Sequence, residues 1–210
     1  MRKKIACLAT IALTSTSLSA QDTGWLARAV GGWDSLLSPV GVSESAGDFN
    51  YHFTNDFLVG LEGEYRFNRR LGLELAIHQS RPDIVVGAEI GDYFVSLRDS
   101  ITYRPLTVGL DAHLTPNRRA DFTLTPLIGR AFFSDLDFEM SSVTPRFNSG
   151  SDLMWGGAAA VDVGIGDGPW TVSFALRYLD ATLEAVDDGG VVTSLDLSPW
   201  TTTVGVGYRF

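Results

Sequence analysis

The stretch Trp200-Thr-Thr-Thr-Val-Gly-Val-Gly-Tyr-Arg-Phe210 changes character at every second residue. One face would carry Trp200, Thr202, Val204, Val206, Tyr208 and Phe210, while the other holds only Thr, Gly and Arg. Successive side chains of a strand point to opposite sides of the sheet, so the pattern predicts a strand with one apolar face. A strand of this kind that closes on an aromatic residue is typical of outer-membrane β-barrels.

The opposite end of the sequence indicates an export signal. Arg2, Lys3 and Lys4 precede an apolar run over residues 5–18, and small residues follow before Gln21. This run is shorter than the roughly 20 residues that a membrane-spanning helix needs. We therefore predict that residues 1–20 are a cleaved signal peptide and that residues 21–210 form one outer-membrane β-barrel domain.

Removal of that signal changes the composition in two useful ways. The single cysteine, Cys7, would leave with the signal, which excludes disulfides, thiolate catalysis and cysteine metal ligands from the mature chain. The basic residues would fall from 16 to 13, all of them Arg, against 25 acidic residues, for a net charge of −12. Such an acidic chain is not expected to bind nucleic acid, which requires clustered positive charge.

The remaining sequence repeats the alternation of its last strand. Eight segments show it, at about residues 25–33, 57–67, 71–78, 106–114, 122–133, 155–163, 170–178 and 200–210. In the fifth segment the faces are ambiguous, because Arg130 shares a face with Leu124 and Ile128. The pattern predicts an all-β fold, an eight-stranded antiparallel up-and-down transmembrane barrel.

The connections between these segments alternate in length. Residues 68–70, 116–119 and 166–169 are short and rich in turn residues, whereas residues 34–56, 79–102, 134–152 and 182–199 are long. Within the second long link, residues 84–96 are apolar enough to extend the strands. Short periplasmic turns and long extracellular loops are the layout of bacterial outer-membrane barrels.

A soluble lipocalin is the alternative with eight alternating strands, with its apolar side chains turned into the cavity. Two features favour the membrane barrel: the charged faces are rich in small residues, as a narrow lumen requires, and aromatic residues collect at the strand ends. One predicted girdle contains Trp25, Tyr65, Phe67, Phe122, Trp170, Tyr208 and Phe210, and the other contains Trp33, Phe57, Trp155, Tyr178 and Trp200.

The predicted lumen is charged. Its candidate residues are Arg28, Glu62, Glu64, Arg66, Glu74, His78, Asp111, His113, Asp162, Arg177 and Arg209. Isolated charges in a confined space are costly, so opposite signs are expected to pair. The network is interpreted either as a salt-bridged plug or as a polar path for solutes; the plug is favoured because side chains fill small barrels.

The sequence offers little for metal binding or catalysis. His78 and His113 fall on neighbouring predicted strands and could approach each other, but no third ligand stands at a defined spacing, so we expect lumen residues and no metal or cofactor. A barrel enzyme would need a nucleophile or an activated water near a His at the outer rim. Residues 177–182 contain neither His nor Ser. The sequence therefore predicts that the protein is not an enzyme.

Three stretches carry a resemblance to a known family. They are Trp170-Thr-Val-Ser-Phe-Ala-Leu-Arg-Tyr-Leu-Asp180, then Leu197-Ser-Pro-Trp200 with the closing Gly207-Tyr-Arg-Phe210, and residues 55–77 with Gly72-Leu-Glu-Leu75. Together with Trp155-Gly-Gly-Ala158, this ordered set resembles the OmpW family. The resemblance covers most of the mature chain, although the loops match poorly.

The resemblance implies a porin-like barrel of the Gram-negative outer membrane that passively transports small hydrophobic molecules, with a sideways exit into the bilayer. The sequence departs from the family at mid-height, where Ala76 and Arg177 replace bulky apolar residues. A structural or adhesive surface barrel is the alternative. Expected partners are the lipid bilayer, lipopolysaccharide, small hydrophobic solutes and the barrel-assembly machinery, for which Tyr208 and Phe210 would be the signal.

Overall fold

The computed structural model describes most of the chain after residue 22. The described residues are 23–36, 40–44, 47–90, 93–116, 119–134, 136–137, 146–147, 151–186, 192–197 and 199–210. The predicted signal peptide, residues 1–20, lies outside them. No helix formed by these residues is long and apolar enough to cross a membrane.

The described residues form strands joined by turns. In chain order the strands are β1 (Gly24–Leu36), β2 (Val40–Glu44), β3 (Gly47–Phe53), β4 (Asp56–Arg66), β5 (Leu71–Gln79), β6 (Asp83–Ile90), β7 (Tyr93–Ser100), β8 (Tyr103–His113), β9 (Ala120–Phe133), β10 (Leu136–Asp137), β11 (Arg146–Phe147), β12 (Ser151–Gly164), β13 (Trp170–Val186), β14 (Val192–Leu197) and β15 (Pro199–Arg209).

Eight of these strands close into a barrel. The order β1-β4-β5-β8-β9-β12-β13-β15 is antiparallel between neighbours throughout, and β15 pairs back onto β1 with Leu26 opposite Arg209. Closure gives every barrel strand two partners and leaves no open edge, which a strand in lipid requires because no water is present to satisfy its backbone. The predicted fold class, an eight-stranded antiparallel barrel, is confirmed.

The wall is apolar outside and polar inside. Along β5 exposed and buried residues alternate without a break, with Leu71, Leu73, Leu75 and Ile77 facing out. The same alternation on β9 places Arg130 on the outer face, which resolves the ambiguous phase of that strand. An exterior formed by Leu, Ile, Val, Phe and Trp is the inverse of a soluble lipocalin and matches a lipid-facing band.

Aromatic rings pack against one another along both rims of this band, in tilted or edge-to-face pairs. At the short-turn rim, Trp25 packs on Tyr65 with ring centroids 4.9 Å apart, and Trp170 packs on Tyr208 at 5.0 Å. Phe210 continues the row at 5.1 Å from Tyr208. At the opposite rim the pairs are Trp33 with Phe57 and Tyr178 with Trp200. The predicted girdles therefore form two rows of rings, as interfacial side chains do.

The short turns have local causes. Asn68 accepts hydrogen bonds through its side-chain oxygen from the backbone N–H groups of Arg70 and Leu71, which closes the β4–β5 turn. Gly166 has φ of 60°, a conformation that side chains disfavour, and it begins the turn between β12 and β13.

The long links contain more strand than the sequence indicated. Beyond the barrel, β2, β3, β6 and β7 form a second antiparallel sheet of four strands, which confirms the predicted extension over residues 84–96 and adds two strands to it. β13 continues past the barrel and pairs with β14. The extracellular end therefore combines a separate four-stranded sheet with the prolonged barrel strand β13.

Candidate functional site: the lumen

The barrel interior is filled by charged side chains at and below mid-height. Of the predicted lumen residues, nine are buried against other lumen groups: Arg28, Glu62, Glu64, Glu74, His78, Asp111, His113, Asp162 and Arg177. Arg66 is partly buried at the short-turn end. Small residues on β12 and β15 make room for them; a Cβ on Gly207 would lie 3.1 Å from the side chain of Arg28 and closer still to Thr171.

Arg28 holds the centre of this interior. Its Nη2 atom donates to Glu64 at 2.6 Å and to Asp162 at 2.7 Å, and its Nε atom donates to Asp162 at 3.2 Å. These bonds join β1 to β4 and, across the barrel, to β12. Charge-assisted bonds of this length are the strong class of hydrogen bond, so Arg28 ties opposite walls together.

Arg177 holds a second cluster, higher on the opposite side. Its Nη2 atom donates to Glu62 at 3.0 Å and to Glu74 at 3.1 Å, while Nη1 lies 3.1 Å from Nδ1 of His78. His78 in turn contacts Glu62 through Nε2 at 3.1 Å. Arg177 therefore pairs with Glu62 and Glu74, in agreement with the expectation that opposite charges in the lumen pair, whereas Asp162 pairs with Arg28.

A third cluster lies towards the short-turn end. Arg66 pairs with Glu64 at 2.7 Å and with Asp121 at 3.0 Å. His113 stands between the same two acids, with Nε2 2.9 Å from Glu64 and Nδ1 3.0 Å from Asp121. Glu64 thus links this cluster to Arg28.

His78 and His113 are both buried lumen residues, as expected, but a close approach between them, which the sequence left open, is absent; of the predicted lumen residues Arg209 is exposed. His78 and His113 do not approach each other, because the strands are antiparallel: Ile77, next to His78, is opposite Leu106, whereas Leu71 is opposite Ala112, next to His113. Each histidine belongs to a different cluster. Arg209 is not part of the buried network, because it lies exposed at the rim, where the wall ends.

Sequence reasoning also missed two buried acids. Asp121 opens β9, and its inward direction follows once Phe122 is placed outside, so the alternation already contained that signal. Asp34 lies near the outer end of β1 and accepts bonds from Ser80 at 2.9 Å and Thr201 at 2.6 Å. It was assigned to a loop because the sequence did not indicate how far β1 extends.

Above the charged clusters most of the buried side chains are apolar, although Asp34 with its partners Ser80 and Thr201 is buried at the same height. The buried apolar side chains at the outer ends of the barrel strands are Leu58, Ile101, Tyr103, Ala131, Phe133, Met154, Leu179 and Ala181. Tyr103 stacks on Phe133 with centroids 5.3 Å apart, and its hydroxyl lies 3.8 Å from the sulfur of Met154. We call these eight residues the apolar layer.

Little space remains between the side chains of the charged clusters. A void bordered by Arg28, Glu62, Glu74, Asp111 and Arg177 has a volume of about 10 Å³, room for about one water molecule. The groups that border this void are held in place by ion pairs, with Arg177 bound to Glu62 and Glu74.

The closed barrel, the apolar band and the two aromatic girdles define an outer-membrane β-barrel protein of the smallest size class. Residues 5–210 match the family model described as outer membrane protein beta-barrel domain, and the chain belongs to that family. A comparison with curated protein sequences finds no significant match.

Three solved structures illustrate the likeness of fold. OprG from Pseudomonas aeruginosa has a TM-score of 0.66 and 18% identity, with 90% of this chain and 97% of OprG covered. Outer membrane protein W from E. coli has a TM-score of 0.55 and 19% identity, covering 91% and 100%. AlkL has a TM-score of 0.52 and 17% identity, covering 94% and 95%. At the level of fold, the resemblance to the OmpW family is confirmed.

Proposed function

We propose that this outer-membrane barrel admits small apolar molecules at its extracellular mouth and releases them sideways into the bilayer, while its lumen stays closed to ions. The observation that carries the proposal is the change of lumen polarity with height. An apolar solute can contact the side chains of the apolar layer. The charged clusters beneath this layer have no comparable apolar surface.

The charged clusters make a straight path through the barrel unfavourable for such a solute. To pass, it would have to separate Arg28 and Arg177 from their acids and leave buried charges unpaired. Breaking a buried pair by removing one partner typically costs about 3–5 kcal/mol. A solute that enters the apolar layer therefore has to leave through the wall.

The wall has an interruption at the correct height. The ladder between β5 and β8 ends with Ile77 opposite Leu106, and beyond it Ser80 and Tyr103 form an isolated bridge. Pro105 lies between these pairs on the same side of β8 as Tyr103, and it lacks the N–H that would continue the ladder to His78. Tyr103 of the apolar layer lies above this gap and His78 of the Arg177 cluster lies opposite Pro105, so the gap opens at the boundary between the two.

A second gap provides an internal control. Pro126 lacks the N–H that would bond to Leu110, and the pairing of β8 with β9 is interrupted between Gly109–Leu127 and Ala112–Leu124. Here the inward neighbours are Asp111 and Thr125, joined by a hydrogen bond of 2.6 Å. An exit at this height would open onto the charged clusters and would not serve an apolar solute.

The test uses the refolded protein in vesicles whose outer leaflet contains lipopolysaccharide, because its polar sugar layer slows apolar solutes. We expect wild type to speed the entry of a small fluorescent apolar probe over protein-free vesicles, with little ion current. Pro105→Ala, which restores the N–H, should slow this entry several-fold, and Pro126→Ala should leave it near wild type. Equal loss in both variants would contradict an exit at Pro105.

A structural or surface role is the second candidate, and the filled lumen favours it. Ion pairs that tie opposite walls stiffen a barrel whether or not anything passes through it, and the prolonged strands extend well beyond the outer girdle. If wild type speeds neither the apolar probe nor ions, the transport proposal is wrong and this second role replaces it.

A further inference from the structure

The cluster at the short-turn end of the lumen contains more acid than its bases neutralise. Arg28 pairs with Glu64 and Asp162, and Arg66 pairs with Glu64 and Asp121. Asp111 lies near them without an ion pair among the described residues, and Arg209, a further base, is exposed at the rim. Confined like charges are costly unless a cation balances them. The excess of negative charge surrounds His113.

Five buried side-chain atoms in this cluster have no hydrogen-bond partner among the described residues, and two of them belong to residues that could hold a metal ion. One is Oδ2 of Asp111, on a residue that is 1% exposed and whose other oxygen accepts from Thr125. The other is Nε2 of His113, which lies 2.9 Å from Glu64 but not in hydrogen-bond geometry. Buried polar atoms are nearly always paired, so two that face the same space point to a missing group.

The donor set suits a metal ion. One ligand atom each from Glu64, Asp111 and His113 lies within 4.8 Å of the others. Zinc is bound by imidazole nitrogen and carboxylate oxygen at about 2.0–2.2 Å, and three protein ligands leave a fourth position for water. Side-chain torsions of the Asp and Glu can bring the three atoms to that spacing, because the closest pair is already 2.9 Å apart.

His113 also has the outer partner that metal-bound histidines have. Its Nδ1 atom lies 3.0 Å from Oδ2 of Asp121, and an Nδ1–H that donates to this carboxylate leaves Nε2 with its lone pair towards Glu64 and Asp111. A carboxylate behind the histidine fixes the ring and raises its basicity as a ligand.

We propose that Glu64, Asp111 and His113 bind one divalent transition-metal ion, with zinc as the representative, inside the lumen near its periplasmic end. Asp121 positions His113 without touching the ion. Arg66, 15% exposed and paired with both Glu64 and Asp121, covers the site from the periplasmic side and has to swing aside for the ion to enter. The ion balances the acids that Arg28 and Arg66 leave unpaired.

The test is metal binding by the full mature chain, refolded in detergent without metal. Zn²⁺ is titrated by calorimetry and Co²⁺ by its visible absorption, with folding of each variant verified by its gel shift on boiling. We expect one ion per chain. Asp111→Asn, which preserves the side-chain shape and the bond from Thr125, and His113→Gln should each weaken binding at least ten-fold. Asp121→Asn should weaken it about 10- to 100-fold, as partners of metal-bound histidines do.

His78→Gln is the matched control, since His78 is also a buried lumen histidine that contacts a Glu but lies in the other cluster. It should bind zinc as wild type does. The proposal is wrong if wild type binds no ion, or if His78→Gln weakens binding as much as His113→Gln. It is also wrong if the nitrogen NMR signals of the His113 ring are those of an imidazolium and do not change when zinc is added. Should His113→Gln fail to fold, the two Asn variants decide.

Discussion

The charged clusters and the apolar layer occupy one lumen but are stabilised by different forces. In the clusters each side chain depends on named partners, as Arg28 does on Glu64 and Asp162. In the apolar layer Met154 and Leu179 gain from contact with many neighbours, none of them specific. The comparison teaches that a substitution in the charged clusters changes stability through the unpaired charge it leaves. A substitution in the apolar layer changes stability through the cavity it leaves.

The largest expected effect is the loss of Arg28. Arg28→Ala leaves Glu64 and Asp162 facing each other in a confined space, and removal of one partner of a buried pair costs about 3–5 kcal/mol. We expect a fall of this size in the free energy of unfolding, measured by denaturant titration in vesicles. The exposed pair of Arg98 with Asp83 is the control, and Arg98→Ala should cost less than about 1 kcal/mol. Equal losses of unfolding free energy in Arg28→Ala and Arg98→Ala would contradict the view that burial makes the Arg28 ion pairs the more costly to break.

A pair of variants on one strand separates charge from space. Arg177 and Leu179 both face inward on β13, two residues apart and on either side of the boundary. Leu179→Ala should cost about 2–5 kcal/mol through the cavity it creates. Arg177→Ala should cost a comparable amount, lowered by contact of Glu62 and Glu74 with lumen water. Only Arg177→Ala should also raise ion conductance, recorded on single channels. A conductance increase in Leu179→Ala would contradict the assignment of closure to the charged clusters.

The smallest expected change in unfolding free energy concerns the hydroxyl of Thr107, which lies between the charged clusters and the apolar layer. Thr107 is fully buried on β8, and its hydroxyl has no hydrogen-bond partner among the described residues. Val has nearly the same shape, and an unpaired buried hydroxyl is costly. Thr107→Val should therefore leave the unfolding free energy unchanged or raise it by about 1 kcal/mol. A clear loss of stability would mean that the hydroxyl bonds to water and that the lumen is wetter at this height than its side chains indicate.

The sequence predicts the wall well because the wall obeys a local rule. Each residue of β5 or β15 faces lipid or lumen according to its neighbours two positions away, so alternation places Arg28 and Arg177 inside without any knowledge of the fold. It does not predict which acid each arginine meets, because partners across the lumen depend on the stagger of the strands. The pairing of Asp162 with Arg28, across the lumen, is a contact of this kind.

The length of the strands was the second feature that the sequence did not predict. Asp34 is part of a strand because β1 is paired on both sides at that point, with Thr201 and Asp56. β2 and β3, of mixed composition, pair with each other in the separate sheet. Pairing outside the wall is set by the neighbouring strand and less by local preference, since β-propensity depends strongly on context. Much of the apolar layer was missed for the same reason, because Ile101, Tyr103, Met154, Leu179 and Ala181 lie outside the eight predicted segments.

Closure of the barrel through β1 and β15 has a consequence for the order of events. The two strands pair over their whole length, and the backbone N–H of Phe210 donates to the oxygen of Trp25 at 2.8 Å. β1 therefore cannot complete its pairing until β15 has formed. Until then each of the two strands has a row of backbone groups without hydrogen-bond partners. Contacts so distant along the chain form slowly. An intermediate that lacks β15 would expose an edge able to pair with another copy, so completion of the last strand, more than any single contact, protects the newly made chain from aggregation.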